Sequence, residues 1–127
     1  MHFFSYSPGI YREMGGPRTG EAYVGALLDG DGPFEFNVLL LKKGTIVKEP
    51  AHERPTALLV LDGMVWIATN TQRYDLHKGR GAICAPGEPY SMGSQDGSLV
   101  LAMEARRIIV HADCQLISTE QLQVNAR

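Results

Sequence analysis

This chain of 127 residues is short of several things, and each shortage removes a class of protein. It has only two cysteines, Cys84 and Cys114, in separate apolar runs and with no CxxC partner. That is too few for a disulfide framework and gives no zinc-finger spacing. Two free thiols in a reducing compartment is the plainer expectation, with a single disulfide as the alternative. No apolar run approaches the roughly twenty residues that a membrane-spanning helix needs. The opening Met1-His2-Phe3-Phe4-Ser5-Tyr6 lacks a basic region followed by a long apolar stretch, so no secretory leader is expected and the cytoplasm is the expected compartment. Charge of one sign is also missing. The formal net charge is −2, which predicts no nucleic-acid partner and no anionic membrane partner. Lys42, Lys43 and Lys48 cluster, as do Arg106 and Arg107, but both groups read as solvated faces beside strands. No long helical period and no helix-turn-helix pattern occurs. A complete one-chain transcription factor is therefore not expected, while the sensing half of a system encoded elsewhere stays open.

Turn residues and strand-length runs are present in quantity. There are 14 glycines and 7 prolines, and they recur at short intervals, as in Gly30-Asp31-Gly32-Pro33, Asp62-Gly63, Gly79-Arg80-Gly81 and Pro86-Gly87. Between them lie runs of β-branched, aromatic and aliphatic residues: 35–41, 57–61, 64–69, 81–85, 98–105 and 107–111. Short strands separated by turn signals imply an antiparallel sandwich or barrel in one domain. Ser118-Thr119-Glu120-Gln121-Leu122 could cap one short C-terminal helix, with Ser118 as its N-cap. Val38-Leu39-Leu40-Leu41 and Leu58-Leu59-Val60-Leu61 are apolar at every position, whereas a strand wet on one face alternates. Such strands need cover on both faces. A second copy of the chain is the expected cover, giving a homodimer; the alternative is that the N-terminal segment, about residues 3–28, folds back over them.

Two stretches carry a family resemblance. From Gly44 to Gly63 the chain resembles the first motif of the cupins: a glycine, five residues, His-any-His, three or four residues, a glutamate, six residues and a glycine. Both glycines and the spacings match. The histidine positions fall on Pro50 and His52, and the glutamate position on Thr56. From Gly79 the chain resembles the second motif. Gly79 and Gly87 match, Pro86 stands one place late, the histidine position is Tyr90 and the asparagine position is Ser94. The resemblance covers about residues 34–105. It implies an all-β fold, a double-stranded β-helix or jelly-roll-like barrel, in one domain, with residues 1–33 as covering or swapped strands. It also implies that most of the family's metal ligands are absent, so no metal and no other cofactor is expected.

The candidate site follows from the same alignment. Pro50, His52 and Thr56 share parity on an extended strand, and the resemblance places that face inside the barrel, with Tyr90 approaching from the second motif. A catalytic transition-metal site usually takes about three protein ligands, and only His52 stands out here. Glu49 and Glu53 have the opposite parity and are expected to point away. His52 with Tyr90 could form a proton-transfer couple, because imidazole titrates near neutrality and a phenol can donate. The metal-independent sugar epimerases of the cupin superfamily use such a pair, but with an aspartate on the histidine that neither motif supplies. Arg54 shares parity with His52 and could meet an anion at the pocket mouth, and Trp66 could stack on a ring; the plainer readings are a solvated turn and a core aromatic.

Three functions fit. The first is a metal-free cupin binding a small organic molecule in its barrel, as sensor, carrier or sequestering protein, through His52, Thr56, Tyr90, Arg54 and Trp66. The second is a metal-independent isomerase, epimerase or lyase acting on a sugar-like or carboxylate substrate, with His52 and Tyr90 as catalytic residues. The third is an inert structural or interaction module. A metal-dependent dioxygenase is disfavoured.

Overall fold

The structure, a computed structural model, describes residues 1–6, 11–17, 20–119 and 122–126. The chain folds as the turn residues dictate, into short strands: β1 (His2–Ser5), β2 (Arg12–Glu13), β3 (Tyr23–Val24), β4 (Leu28–Asp31), β5 (Glu35–Leu41), β6 (Ile46–Glu49) and β7 (Thr56–Ala68). Then come β8 (Gln72–His77), β9 (Arg80–Cys84), β10 (Tyr90–Gly93), β11 (Ser98–Glu104), β12 (Arg107–Val110), β13 (Gln115–Ile117) and β14 (Gln123–Ala126). Every pairing among them is antiparallel. Among the described residues there is no α-helix, and no helix long and apolar enough to cross a membrane. The short helix that could begin at Ser118 falls on Glu120 and Gln121, which lie outside the described residues; strand resumes at Gln123.

The thirteen residues of β7 belong to two sheets at once. Thr56 to Leu59 pair with β9, and Thr56 to Gly63 with β11. Met64 to Ala68 pair with β8, and Trp66 to Ala68 with β10. One sheet therefore runs β13-β1-β9-β7-β11-β5 and the other β14-β8-β7-β10-β6, joined through the bend in β7. Leu58, Val60, Val65, Ile67, Leu76, Met92 and Val100 fill the space between them and are all nearly inaccessible.

The two apolar runs have different covers. Leu58 and Val60 face the interior, while Ala57 and Leu59 pack in a second cluster with Phe4, Ile83, Met103 and Cys114. That cluster is closed by Leu27, Leu28, Ile108 and Val110, from the β4–β12 ribbon and the residue before it. The chain itself thus covers the outer face of this part of β7, and no second copy is needed there. Part of the expected N-terminal cover has another role, because β1 lies within the main sheet between β9 and β13. The cover stops before β5. Among the described residues this edge strand pairs with β11 alone, and it leaves Phe36, Val38 and Leu40 exposed.

The four glycines that carry the resemblance, Gly44, Gly63, Gly79 and Gly87, have φ between +77° and +91°. An L side chain rarely adopts that conformation. Gly63 has a second constraint. A Cβ there would stand 2.4 Å from the Gly97 carbonyl oxygen and 3.0 Å from Ser98 Cα. This is where β7 bends from one sheet to the other, close to the register shift between Leu99 and Val100. Gly87 has the same strain without a neighbour within 4 Å. Gly87→Ala should therefore cost about 1 kcal/mol of stability, and Gly63→Ala about twice that or more, because backbone must also move. Urea unfolding of the two variants measures the difference; equal costs would show that the Gly97 turn yields freely.

Candidate functional site

The site is assembled by the β6–β10 ladder and the loop that follows β6. Glu49, the last residue of β6, lies directly opposite Tyr90, the first of β10. Opposed residues of an antiparallel ladder project from the same face, so the two side chains share one side of the sheet. Pro50 then ends the strand, since it has no N–H to give the ladder. The chain turns, and His52 comes back with Nε2 3.3 Å from Glu49 Oε2. Its backbone is fixed from the second motif: the Gly87 N–H donates to the His52 carbonyl at 2.9 Å.

The opposite wall comes from the other sheet. Thr56 opens β7 in register with Cys84 of β9 and Glu104 of β11, so these three side chains also share a face. Arg54 Nε donates to Glu104 Oε1 at 3.0 Å and Nη1 to the Pro33 carbonyl at 3.2 Å. Glu49, His52, Thr56, Tyr90 and Glu104 bound a cavity of about 270 Å³, whose apolar wall includes Leu39, Leu58 and Ala102.

The structure therefore brings His52, Thr56 and Tyr90 together. It adds Glu49, which the parity argument turned outward. That argument needs an unbroken strand from 49 to 56, whereas β6 ends at Glu49 and β7 begins at Thr56. For the same reason Pro50 is exposed and does not line the cavity. Arg54 braces Glu104 and is engaged on two sides. Trp66 lies elsewhere. It opens on a separate groove of about 420 Å³ with Asp75 and His77, and the Arg73 guanidinium carbon sits 4.8 Å from its ring centroid. Glu104 was missed; a lone carboxylate closing the apolar run Leu99 to Met103 was the available signal.

Tyr90 is buried, and burial first, then the neighbouring Cys84 and Glu49, raise its pKa above the usual phenol value. Burial, with the Glu88 carboxylate adding to it, pushes the Cys84 thiol up to about 12. At neutral pH Tyr90 is thus a hydrogen-bond donor, and Cys84 is a thiol rather than a nucleophilic thiolate. The donor set does not fit a transition metal. The Pro50, Thr56 and Tyr90 positions bring no imidazole or carboxylate, and among the described residues no three His, Cys, Asp or Glu side chains are grouped to hold an ion.

No protein-family model matches the chain, and no curated protein matches it in sequence. Solved structures do match in fold. A cupin-2 domain protein from Shewanella frigidimarina superposes with TM-score 0.52 at 16% identity, over 57% of this chain and 71% of the other. A cupin superfamily protein from Desulfitobacterium hafniense gives 0.55 at 17%, over 57% and 66%. The cupin domain of an XRE family transcriptional regulator from Enterobacter cloacae gives 0.53 at 14%, over 61% and 93%. The fold is that of a small cupin domain. Identities this low carry the fold alone.

The buried protons set an alkaline limit on stability. In the unfolded chain the Cys84 thiol titrates near 9.0 and the phenols near 10.0. In the folded protein Cys84 and Tyr6 rise to about 12, chiefly by burial, and Tyr90 is raised as well. A folded pKa above the unfolded one gives stability that is complete below the unfolded value and is lost as pH climbs toward the folded value. The urea midpoint should therefore fall between about pH 9 and pH 11, and Cys84→Ala should make the fall shallower. A flat profile over that range would show that these groups meet solvent.

Proposed function

We propose that the barrel cavity binds a small organic molecule without a metal, in a sensing, carrying or sequestering role. One observation carries this reading: six polar side chains, from five strands and one loop, converge on a space of about 270 Å³. Glu49, Tyr90 and Glu104 have partners in His52, Cys84 and Arg54, and each keeps further hydrogen-bonding capacity that needs solvent or a ligand. A ligand bearing donors and acceptors meets that need, and the apolar wall of Leu39, Leu58 and Ala102 suits a carbon skeleton. A similar structure being the cupin domain of a transcriptional regulator supports the sensing role. On this reading the protein works in the cytoplasm with no nucleic-acid or membrane partner of its own.

A second reading gains from Glu49. A carboxylate 3.3 Å from His52 Nε2 can orient the imidazole and support its protonated form, which is the element the motifs alone did not supply. Tyr90, held protonated, is a suitable acid partner. The reading is then a metal-independent isomerase, epimerase or lyase, and it requires turnover that His52→Ala abolishes.

The experiment is a thermal-shift screen of metabolites against native protein, Tyr90→Phe and Thr56→Val. A ligand should raise the melting temperature of the native chain, and Tyr90→Phe should weaken it about fivefold to tenfold, the worth of one hydrogen bond of about 1 kcal/mol. Stability without ligand should stay within about 0.5 kcal/mol. The inverse pattern, lower stability for Tyr90→Phe and no stabilising compound, would leave an inert module.

A further inference from the structure

We propose that the ligand of this cavity is a small organic cation, an amine or quaternary ammonium compound with hydrogen-bond donors. The inference rests on the binding reading above and adds the sign of the charge. The ionisable side chains that bound the cavity are Glu49, His52, Tyr90 and Glu104. The adjacent cation is Arg54, and it is engaged: one guanidinium nitrogen donates to Glu104 and another to the Pro33 carbonyl. Glu104 is thereby neutralised. Among the described residues, Glu49 has the imidazole of His52 against it and no guanidinium or ammonium partner. The permanent charges at the cavity, the Glu49 and Glu104 carboxylates less the Arg54 guanidinium, sum to about −1.

The Glu49 side chain keeps 29% of its exposure, so water screens it only in part and a ligand entering the cavity displaces that water. A carboxylate or phosphate ligand would face Glu49 and Glu104, and no unengaged cation lines the cavity among the described residues. A protonated amine meets Glu49 as a charge-assisted donor, and a quaternary ammonium, which has no N–H, meets it by charge alone. Tyr90, opposite Glu49 on the ladder, sets an aromatic ring beside that carboxylate, and aromatic rings attract cations through their faces. The apolar wall and the incomplete donor set select an organic cation over a metal ion.

The test uses three probe classes of similar size at matched concentration: ethanolamine, choline and agmatine as cations, glycerol and erythritol as neutral polyols, lactate and pyruvate as anions. Calorimetry and thermal shift on the native chain should show binding by at least one cation and by neither anion. Glu49→Gln should weaken the cation about tenfold or more. Binding of polyols or anions that Tyr90→Phe weakens, without binding of cations, overturns the charge assignment and leaves the binding reading standing. Cation binding that survives Glu49→Gln unchanged overturns the assignment too. Binding by none of the three classes counts against both.

A separate observation concerns β5. Seven residues long and free of proline, it is an edge strand whose outward residues Phe36, Val38 and Leu40 are 60%, 60% and 67% exposed, next to Phe34 at 49%. An edge of this length and polarity is left open in few soluble proteins, because it templates pairing with another strand. We infer that β5 pairs with the β5 of a second copy, antiparallel about a twofold axis. The ends of the strand choose that orientation. Glu35 stands at one end and Lys42 and Lys43 just past the other. Antiparallel self-pairing sets unlike charges together, whereas parallel pairing sets like beside like. Asn37 and Leu39 of the same strand line the cavity, so the partner would stand beside its mouth.

Light scattering on the full chain should give twice 13.9 kDa. Leu40→Glu should shift the population to monomer with the circular dichroism spectrum retained, and Val38→Cys should form an intermolecular disulfide on mild oxidation. A native monomer at micromolar concentration overturns the pairing. A dimer that survives Leu40→Glu, with no cross-link through Val38→Cys, assigns the interface to another face and overturns it as well.

Discussion

The bend in β7 is the constraint on which the rest of the molecule depends. A strand of thirteen residues is too long to stay in one small twisted sheet, and this one pairs with four neighbours, two on each side of Gly63. Positive φ at Gly63 and the close approach of the Gly97 carbonyl set the bend. The bend also exchanges faces. Before it, Thr56, Leu58 and Val60 point inward; after it, Val65 and Ile67 do. Alternation along a strand holds only while the strand is unbroken and unbulged. Here it shifts by one residue at the point where the sheet is handed over.

This explains how far the sequence could be read. The glycine spacings made the fold legible, because each motif glycine occupies a backbone conformation that other residues avoid. The meeting of His52, Thr56 and Tyr90 was legible for a related reason: turns of fixed length fix what lies between them. The errors came from parity. Glu49 was counted on the same strand as His52, yet Pro50 separates them. Trp66 was read as a ring that could stack on a ligand, and beyond the Gly63 bend it opens on another groove. The role of Arg54 was hidden because its partner, Glu104, is fifty residues away and meets it only through the β7–β11 register.

The demand for cover on apolar strands divided in the same way. Hydropathy alone treats 38–41 and 58–61 alike. Sheet position separates them. The first half of β7 is central, and Leu28, Ile108 and Val110 from the β4–β12 ribbon close over its outer face. β5 lies at the edge, beyond the reach of that ribbon, and keeps its outward row bare. Apolar runs alone could not say which strand the chain covers itself and which it leaves bare.

The electrostatics of the cavity follow from what stands at the motif positions. A cupin motif with its full set of imidazoles and its glutamate would gather around an ion that supplies positive charge. Proline, threonine and tyrosine at Pro50, Thr56 and Tyr90 supply no such ligands, so that charge has no seat. The carboxylates that remain must be balanced in other ways. Glu104 is balanced from within the protein by Arg54, in a pair held in place by the Pro33 carbonyl. Among the described residues, Glu49 meets the His52 imidazole at 3.3 Å and otherwise solvent. A partly buried carboxylate with one donor against it is costly in a closed cavity and tolerable in one that admits water or a cation. On the proposed reading, room for a small molecule and the residues at Pro50, Thr56 and Tyr90 are two sides of one substitution pattern.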